Sequence, residues 1–123
     1  MIYDAGDVVV VPFPFTDRNA SKRRPALVLS DAAAFNARVG ACVLAMITSR
    51  ENAAWPLDTP VEDLAAAGLP NAAVVRMKLF TLDHELILRK AGRLSGSDER
   101  RVRAALGQLL GWSVTKPRGR RGR

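Results

Sequence analysis

Val8-Val9-Val10-Val11, four β-branched residues in a row between Gly6-Asp7 and Pro12, is the run that most restricts how this chain can fold. Such side chains are stiff at χ1 and pack well on a pleated surface. Four in succession put apolar groups on both faces, so the run reads as a strand buried on both sides or pairing in a tight barrel. Pro12 and Pro14 are expected to end it, because proline gives a ladder no donor. The segment from Phe13 to Arg23, with Thr16, Asp17, Asn19 and Ser21, then reads as a long polar and basic loop. Phe13 and Phe15 are expected to pack as core or staple residues within it. Ala26–Leu29 and Ala41–Ile47 are two further strand-length runs bounded by polar clusters. Asn71–Phe80 alternates Val75, Met77 and Leu79 with Arg76, Lys78 and Phe80, which sends the first set inward and puts Arg76 and Lys78 together on the other face. Leu86–Leu94 is the last strand expected, broken at Gly92.

Two segments carry helical signals. In T-P-V-E-D-L-A-A-A-G, Thr59 is positioned to cap, Pro60 to take the first helical place, Glu62 to close a capping box and Gly68 to stop a short surface helix. Near the end of the chain, Val102, Ala105, Leu106, Leu109 and Leu110 recur at helical spacing behind Ser97 as cap, with Asp98 and Glu99 in the first turn. Arg100, Arg101 and Arg103 fall off that stripe and read as a solvated face. Short strands at close spacing with one closing helix predict a mainly β (α+β) domain, a small and strongly bent sheet or barrel with helices attached.

At 123 residues, 48% of them hydrophobic, the chain matches one core, expected over residues 1–115. No apolar run approaches the roughly 18 residues a spanning helix needs, and the first residues show no secretory pattern, so a cytoplasmic location without membrane contact is expected. Cys42 lies inside an apolar run and reads as a small buried hydrophobe. The net charge of +7 favours an anionic partner. Five of the cations stand in K-P-R-G-R-R-G-R, residues 116–123, a tail expected to be disordered.

The search for standard chemistry is informative mostly by exclusion. A single histidine, His84, rules out a histidine-based triad or a histidine-rich metal site, and no phosphate-cradling glycine motif appears, so neither a metal nor a nucleotide cofactor is indicated. The acid pairs Glu62/Asp63 and Asp98/Glu99 sit in first helical turns, where the helix dipole accounts for them. What remains is cationic: Lys22, Arg23 and Arg24 at the head of the second strand, and Arg76 and Lys78 on the fourth. Arginine suits a phosphate because its planar fork holds two oxygens and keeps its charge at any working pH. Pro25 restricts Arg24 to extended geometry and so launches that side chain from a rigid point. If strands two and three run antiparallel as neighbours, Arg24 meets Thr48 and Ser49, which end the third strand, at one edge. A surface arginine pair and an ordinary strand end account for the same residue types equally well.

G-D-V-V-V-V-P-F-P-F from Gly6, K-R-R-P-A-L-V-L-S from Lys22, A-M-I-T-S ending strand three, and V-V-R-M-K-L-F-T-L-D from Val74 together resemble the MazF/PemK family of type II toxins, over about residues 5–112. The resemblance implies a homodimer of SH3-like barrels of about five to seven strands. It also implies an endoribonuclease that cuts single-stranded RNA without a metal or other cofactor and is neutralised by a cognate antitoxin. The family's catalytic arginine and threonine fall on Arg24 and Thr48, with Lys22, Arg23, Ser49, Arg76 and Lys78 as substrate-binding candidates. The implied reaction is attack by the RNA 2′-hydroxyl on the adjacent phosphate, giving a 2′,3′-cyclic phosphate. Lys78 stands where some members carry an aspartate, and Phe80-Thr81-Leu82-Asp83 where many have R-T-I-D. His84, which follows, reads as a surface or structural residue. A gyrase poison akin to CcdB, and a member that only binds RNA or an antitoxin, are readings that fold leaves open.

Overall fold

The computed structural model describes residues 2–14 and 22–112; Phe15, the remainder of the first loop to Ser21 and the basic tail at 116–123 lie outside the described residues. β1 (Asp7–Phe13) extends the valine run in both directions and carries Pro12 inside it, paired with Arg23. Proline is tolerated there for a local reason. Val10 turns its carbonyl toward β6 (Arg89–Arg93), accepting from Leu88 N at 2.9 Å, and Pro12 has the same orientation beyond the end of that partner. The missing N–H therefore breaks no rung.

With β2 (Lys22–Val28), β3 (Ala41–Ser49), β4 (Thr59–Pro60) and β5 (Ala73–Asp83), these strands form one antiparallel sheet in the order β4-β5-β3-β2-β1-β6, curled into a half-barrel. Both faces are covered, as the unbroken valine run requires. Val8, Leu27, Ala45, Ile47 and Val75 pack on one side with Val102 and Ala105 of α3 (Gly96–Leu110) and Ala67 of α2 (Leu64–Ala67). Val9, Val11, Ala26, Val28 and Leu44 pack on the other with Tyr3 and Ile87.

The fourth predicted strand departs from its expected alternation. Ala45 pairs with Leu79 but the next β3 residue, Met46, pairs with Arg76, so Met77 and Lys78 are extra on β5. Such a bulge re-aims the side chains beyond it. Val74 to Met77 are all buried, Arg76 included, while Leu79 is 40% exposed rather than inward.

The first helix also differs. Thr59 and Pro60 do not cap a helix; they pair with Val75 and Val74 as β4. Asp63 is the cap, accepting from Ala66 N at 3.0 Å, and Gly68 ends the helix at φ 70° as expected. The cause is tertiary: the buried Asp98 carboxylate of α3 accepts from Glu62 N at 3.1 Å and Asp63 N at 2.9 Å, holding those residues out of the helix. Asp98 thus acts as more than a dipole partner. Its helix is capped by Ser95 rather than Ser97, with Ser95 Oγ accepting from Asp98 N at 3.1 Å. Val102 and Ala105 are buried as read, but Leu109 and Leu110 are exposed. Gly92 does not break β6; it lets β6 pass under α2, where a Cβ would meet Ala66 O at 2.5 Å. A helical turn at Ala32–Asn36 running into α1 (Ala37–Val39) has no counterpart among the expected elements.

Candidate active site

β2 and β3 pair antiparallel from Val28 with Leu44 to Ala26 with Met46, and there the ladder stops. The stop follows from Pro25. Leu29 donates to Val43 O at 2.8 Å, so every second residue of β2 directs its N–H at β3. Pro25 falls on that series and has no N–H for the rung with Ile47. The strands part, and the same register carried two residues further sets Arg24 opposite Thr48.

The parted ends open into two adjoining cavities. One, of about 560 Å³, lies among Arg23, Arg24, Thr48, Ser49, Glu51 and the 69–73 loop. The other, of about 390 Å³, lies among Phe13, Arg24, Thr48, Arg76, Lys78 and Leu79. Arg24, Thr48 and Asn52 line both. The guanidinium of Arg24 lies over the Phe13 ring at 4.7 Å, which fixes its plane, and its Nε is buried with no partner among the described residues. Phe13 is therefore a cavity wall, 38% exposed, rather than the core residue expected. Thr48 Oγ1 accepts from Asn52 Nδ2 at 2.6 Å, which leaves its own hydroxyl proton to donate into the cavity. Ser49 Oγ likewise accepts, from Glu51 N at 3.2 Å.

Asn52 and Glu51 were not singled out from sequence. The signal was the polar turn S-R-E-N directly after Thr48, closed by Asn52 N donating to Ser49 O at 3.1 Å. Among the described residues lining the two cavities, Glu51 is the one carboxylate.

The other expected site residues divide. Arg23 lines the larger cavity, and Lys78 the smaller, where its Nζ stands 4.9 Å from the Trp55 ring centre. Lys22 is exposed opposite Phe13 and lines neither. Arg76 lines the smaller cavity, but its fork is already held: Nε and Nη2 donate to Asp58 at 3.1 and 2.9 Å, and Nη2 to Ala53 O at 2.6 Å. Those hydrogen bonds hold the Asp58 carboxyl below its ordinary pKa against the opposing effect of burial, and raise that of Arg76. Arg76 thereby pins the 50–58 loop, Asn52 included, over the cavities. His84 stands apart from them, with Nε2 3.3 Å from Cys42 Sγ and its ring edge-on to Tyr3 at 5.6 Å. Burial, reinforced by the charge of Asp7, pushes the Cys42 thiol up to about 11, well away from thiolate reactivity. No cluster of three or more His, Cys, Asp or Glu side chains suited to a metal exists among the described residues.

Residues 4–110 match the model of the PemK-like, MazF-like toxins of type II toxin-antitoxin systems. The chain belongs to this family. Among solved structures it is similar to a MazE–MazF complex from Deinococcus radiodurans, at 28% identity and a TM-score of 0.71 over 92% of this chain and 99% of that one. MazF from the same organism gives 29% identity and a TM-score of 0.69 over 90% and 98%. An endoribonuclease in complex with its cognate antitoxin from a mycobacterial species, 17% identical, shares the fold at a TM-score of 0.70 over 94% and 99%. No curated protein sequence matches the chain. Among the described residues no helix is long and apolar enough to cross a membrane.

Proposed function

We propose that the chain is a metal-independent endoribonuclease that cuts single-stranded RNA at the cleft between Arg24 and Thr48. The observation that carries the reading is that Arg24 and Thr48 line the same two cavities at the parted strand ends, the guanidinium braced on Phe13 and the hydroxyl held by Asn52. In the reaction the RNA 2′ oxygen attacks the adjacent phosphorus while the bond from phosphorus to the 5′ oxygen breaks. A proton leaves the 2′ oxygen and one is taken up by the departing 5′ oxygen, giving a 2′,3′-cyclic phosphate and a 5′-hydroxyl. The substrate supplies its own nucleophile, so the protein's task is orientation and charge stabilisation.

A guanidinium is a donor and not a proton acceptor, so Arg24 stabilises the charge gathering on the non-bridging oxygens instead of accepting the 2′ proton. Thr48 donates to the same phosphate. Glu51, which lines the larger cavity, accepts the 2′ proton in this reading. Arg23, Ser49 and Lys78 bind the flanking strand. Lys22 adds charge at the rim, and Arg76 adds charge to the smaller cavity while positioning the loop.

The MazE–MazF complex of Deinococcus radiodurans supports a cognate antitoxin as the protein partner, and the family supports a cytoplasmic homodimer. Purified protein is expected to cleave single-stranded RNA in EDTA. Arg24→Ala, with an unchanged circular dichroism spectrum, is expected to lower the rate by about 10²–10³. Thr48→Ala is expected to lose about tenfold, one hydrogen bond to a charged group. Full activity in a folded Arg24→Ala protein would refute the assignment.

A further inference from the structure

A third cavity, of about 290 Å³, adjoins the cleft and lies among Arg23, Arg24, Arg89, Pro25, Leu69 and Pro70. Among the described residues three arginines and no carboxylate line it. The side chains of Arg23 and Arg89 have no ion-pair partner among the described residues, and Arg24 Nε is buried without a hydrogen bond. Like charges gathered in one concavity without counter-charge repel one another, and the ligand that relieves this is an anion. Guanidinium forks select for phosphate oxygens.

The sheet dictates the placement. Val10 pairs with Pro25 on one side and Arg89 on the other, so Pro25, Val10 and Arg89 form a row across β2, β1 and β6. Arg23, two residues from Pro25, shares its face. Two strand spacings put Arg89 on the order of 10 Å from β2. The opposite wall is the end of α2: at Gly68, φ 70°, a Cβ would meet Ala91 O at 2.1 Å, so only glycine lets this turn sit down on β6. Arg23, Arg24 and Pro25, with Leu69 and Pro70, line both this cavity and the larger one of the cleft, which makes the two a continuous groove.

We propose that Arg89, together with Arg23, holds the RNA phosphate next to the one that faces Arg24, so that the strand runs from the cleft across β2, β1 and β6. This rests on the endoribonuclease reading. Arg89 is a binding residue for the strand rather than for the reacting atoms, so it acts on affinity and not on the chemical step.

The test uses the full chain and an RNA whose cut-site 2′-hydroxyl is replaced by hydrogen, which binds without being cut. Arg89→Gln is expected to weaken binding about tenfold, equally for different RNA sequences. The slope of log affinity against log salt is expected to fall by about 0.7, the value for one phosphate contact on a single strand. On cleavable RNA, KM rises and kcat stays. A neutral methylphosphonate at one of the two flanking positions weakens the unaltered protein more than it weakens Arg89→Gln, which keeps only the Arg23 contact, while Arg100→Gln, on the exposed face of α3, behaves as the unaltered protein. Arg89→Lys restores most of the salt slope. An unchanged salt slope with folded Arg89→Gln, or a methylphosphonate penalty equal in both proteins, overturns the assignment, as does an effect confined to an acidic peptide in place of RNA. If the unaltered protein neither binds nor cuts RNA, the endoribonuclease reading falls too; if it cuts and only the Arg89 effects are missing, that reading stands.

Discussion

Pro25→Ala tests whether a missing hydrogen bond opens the cleft. The substitution supplies the N–H that β2 lacks opposite Ile47, one rung beyond the last observed pair of Ala26 with Met46. One such bond contributes about 1 kcal/mol. Removing proline frees the unfolded chain by about 0.4–1 kcal/mol, which offsets the gain, so overall stability should move little. The local balance between parted and zipped strand ends is different, because it is set within the folded state. About 1 kcal/mol there favours the zipped form by roughly fivefold. A cleft open for only a sixth of the time acts at about that fraction of its former rate. Two assays follow: kcat/KM on a short RNA is expected to drop about sixfold, and hydrogen exchange is expected to show the new amide at position 25 protected. A fast-exchanging amide there, or undiminished cleavage with the amide protected, would refute the reasoning from proline to cleft.

Glu51→Gln keeps the shape of the rim but removes the carboxylate that lines it, so kcat should fall by about 10² with KM little changed; undiminished kcat would take the proton-accepting role from Glu51. Asp58 has its pKa lowered by the hydrogen bonds from Arg76, so its contribution is full above the ordinary value of 3.8 and is lost as pH falls through the lower folded value. Hydrogen exchange over residues 50–58 should therefore quicken in that acid window before the core opens, and Asp58→Asn should show the quickened exchange already at neutral pH.

Much of the sheet is legible in the residues because burial writes itself into composition: the valine run and the Ala41–Ile47 stretch both proved to be strands covered on two faces. What is hidden depends on partners distant in sequence. Nothing near Thr59 announces that β5 will claim it, nor that the Asp98 carboxylate will take the amides of Glu62 and Asp63. The bulge at Met77 and Lys78 is equally silent, since a period of two is the same on paper whether or not two residues are later left over. In the cleft, Arg24 and Thr48 were found through resemblance and through the antiparallel argument. Asn52 and Glu51 depend on the conformation of a polar turn, and the side-chain bond from Asn52 to Thr48 has no signature in residue type. Arg76 reads as a substrate-binding candidate on the strand it shares with Lys78, and only the fold shows its fork closed on Asp58.

The central claim is that Arg24 and Thr48 act on one phosphodiester whose own 2′-hydroxyl attacks. Mapping the ends of RNA incubated with the purified chain in EDTA tests it most directly. The account predicts fragments ending in a 2′,3′-cyclic phosphate and beginning with a 5′-hydroxyl, which disappear with Arg24→Ala. Fragments carrying a 5′-phosphate, or RNA left intact at high protein concentration, would contradict it.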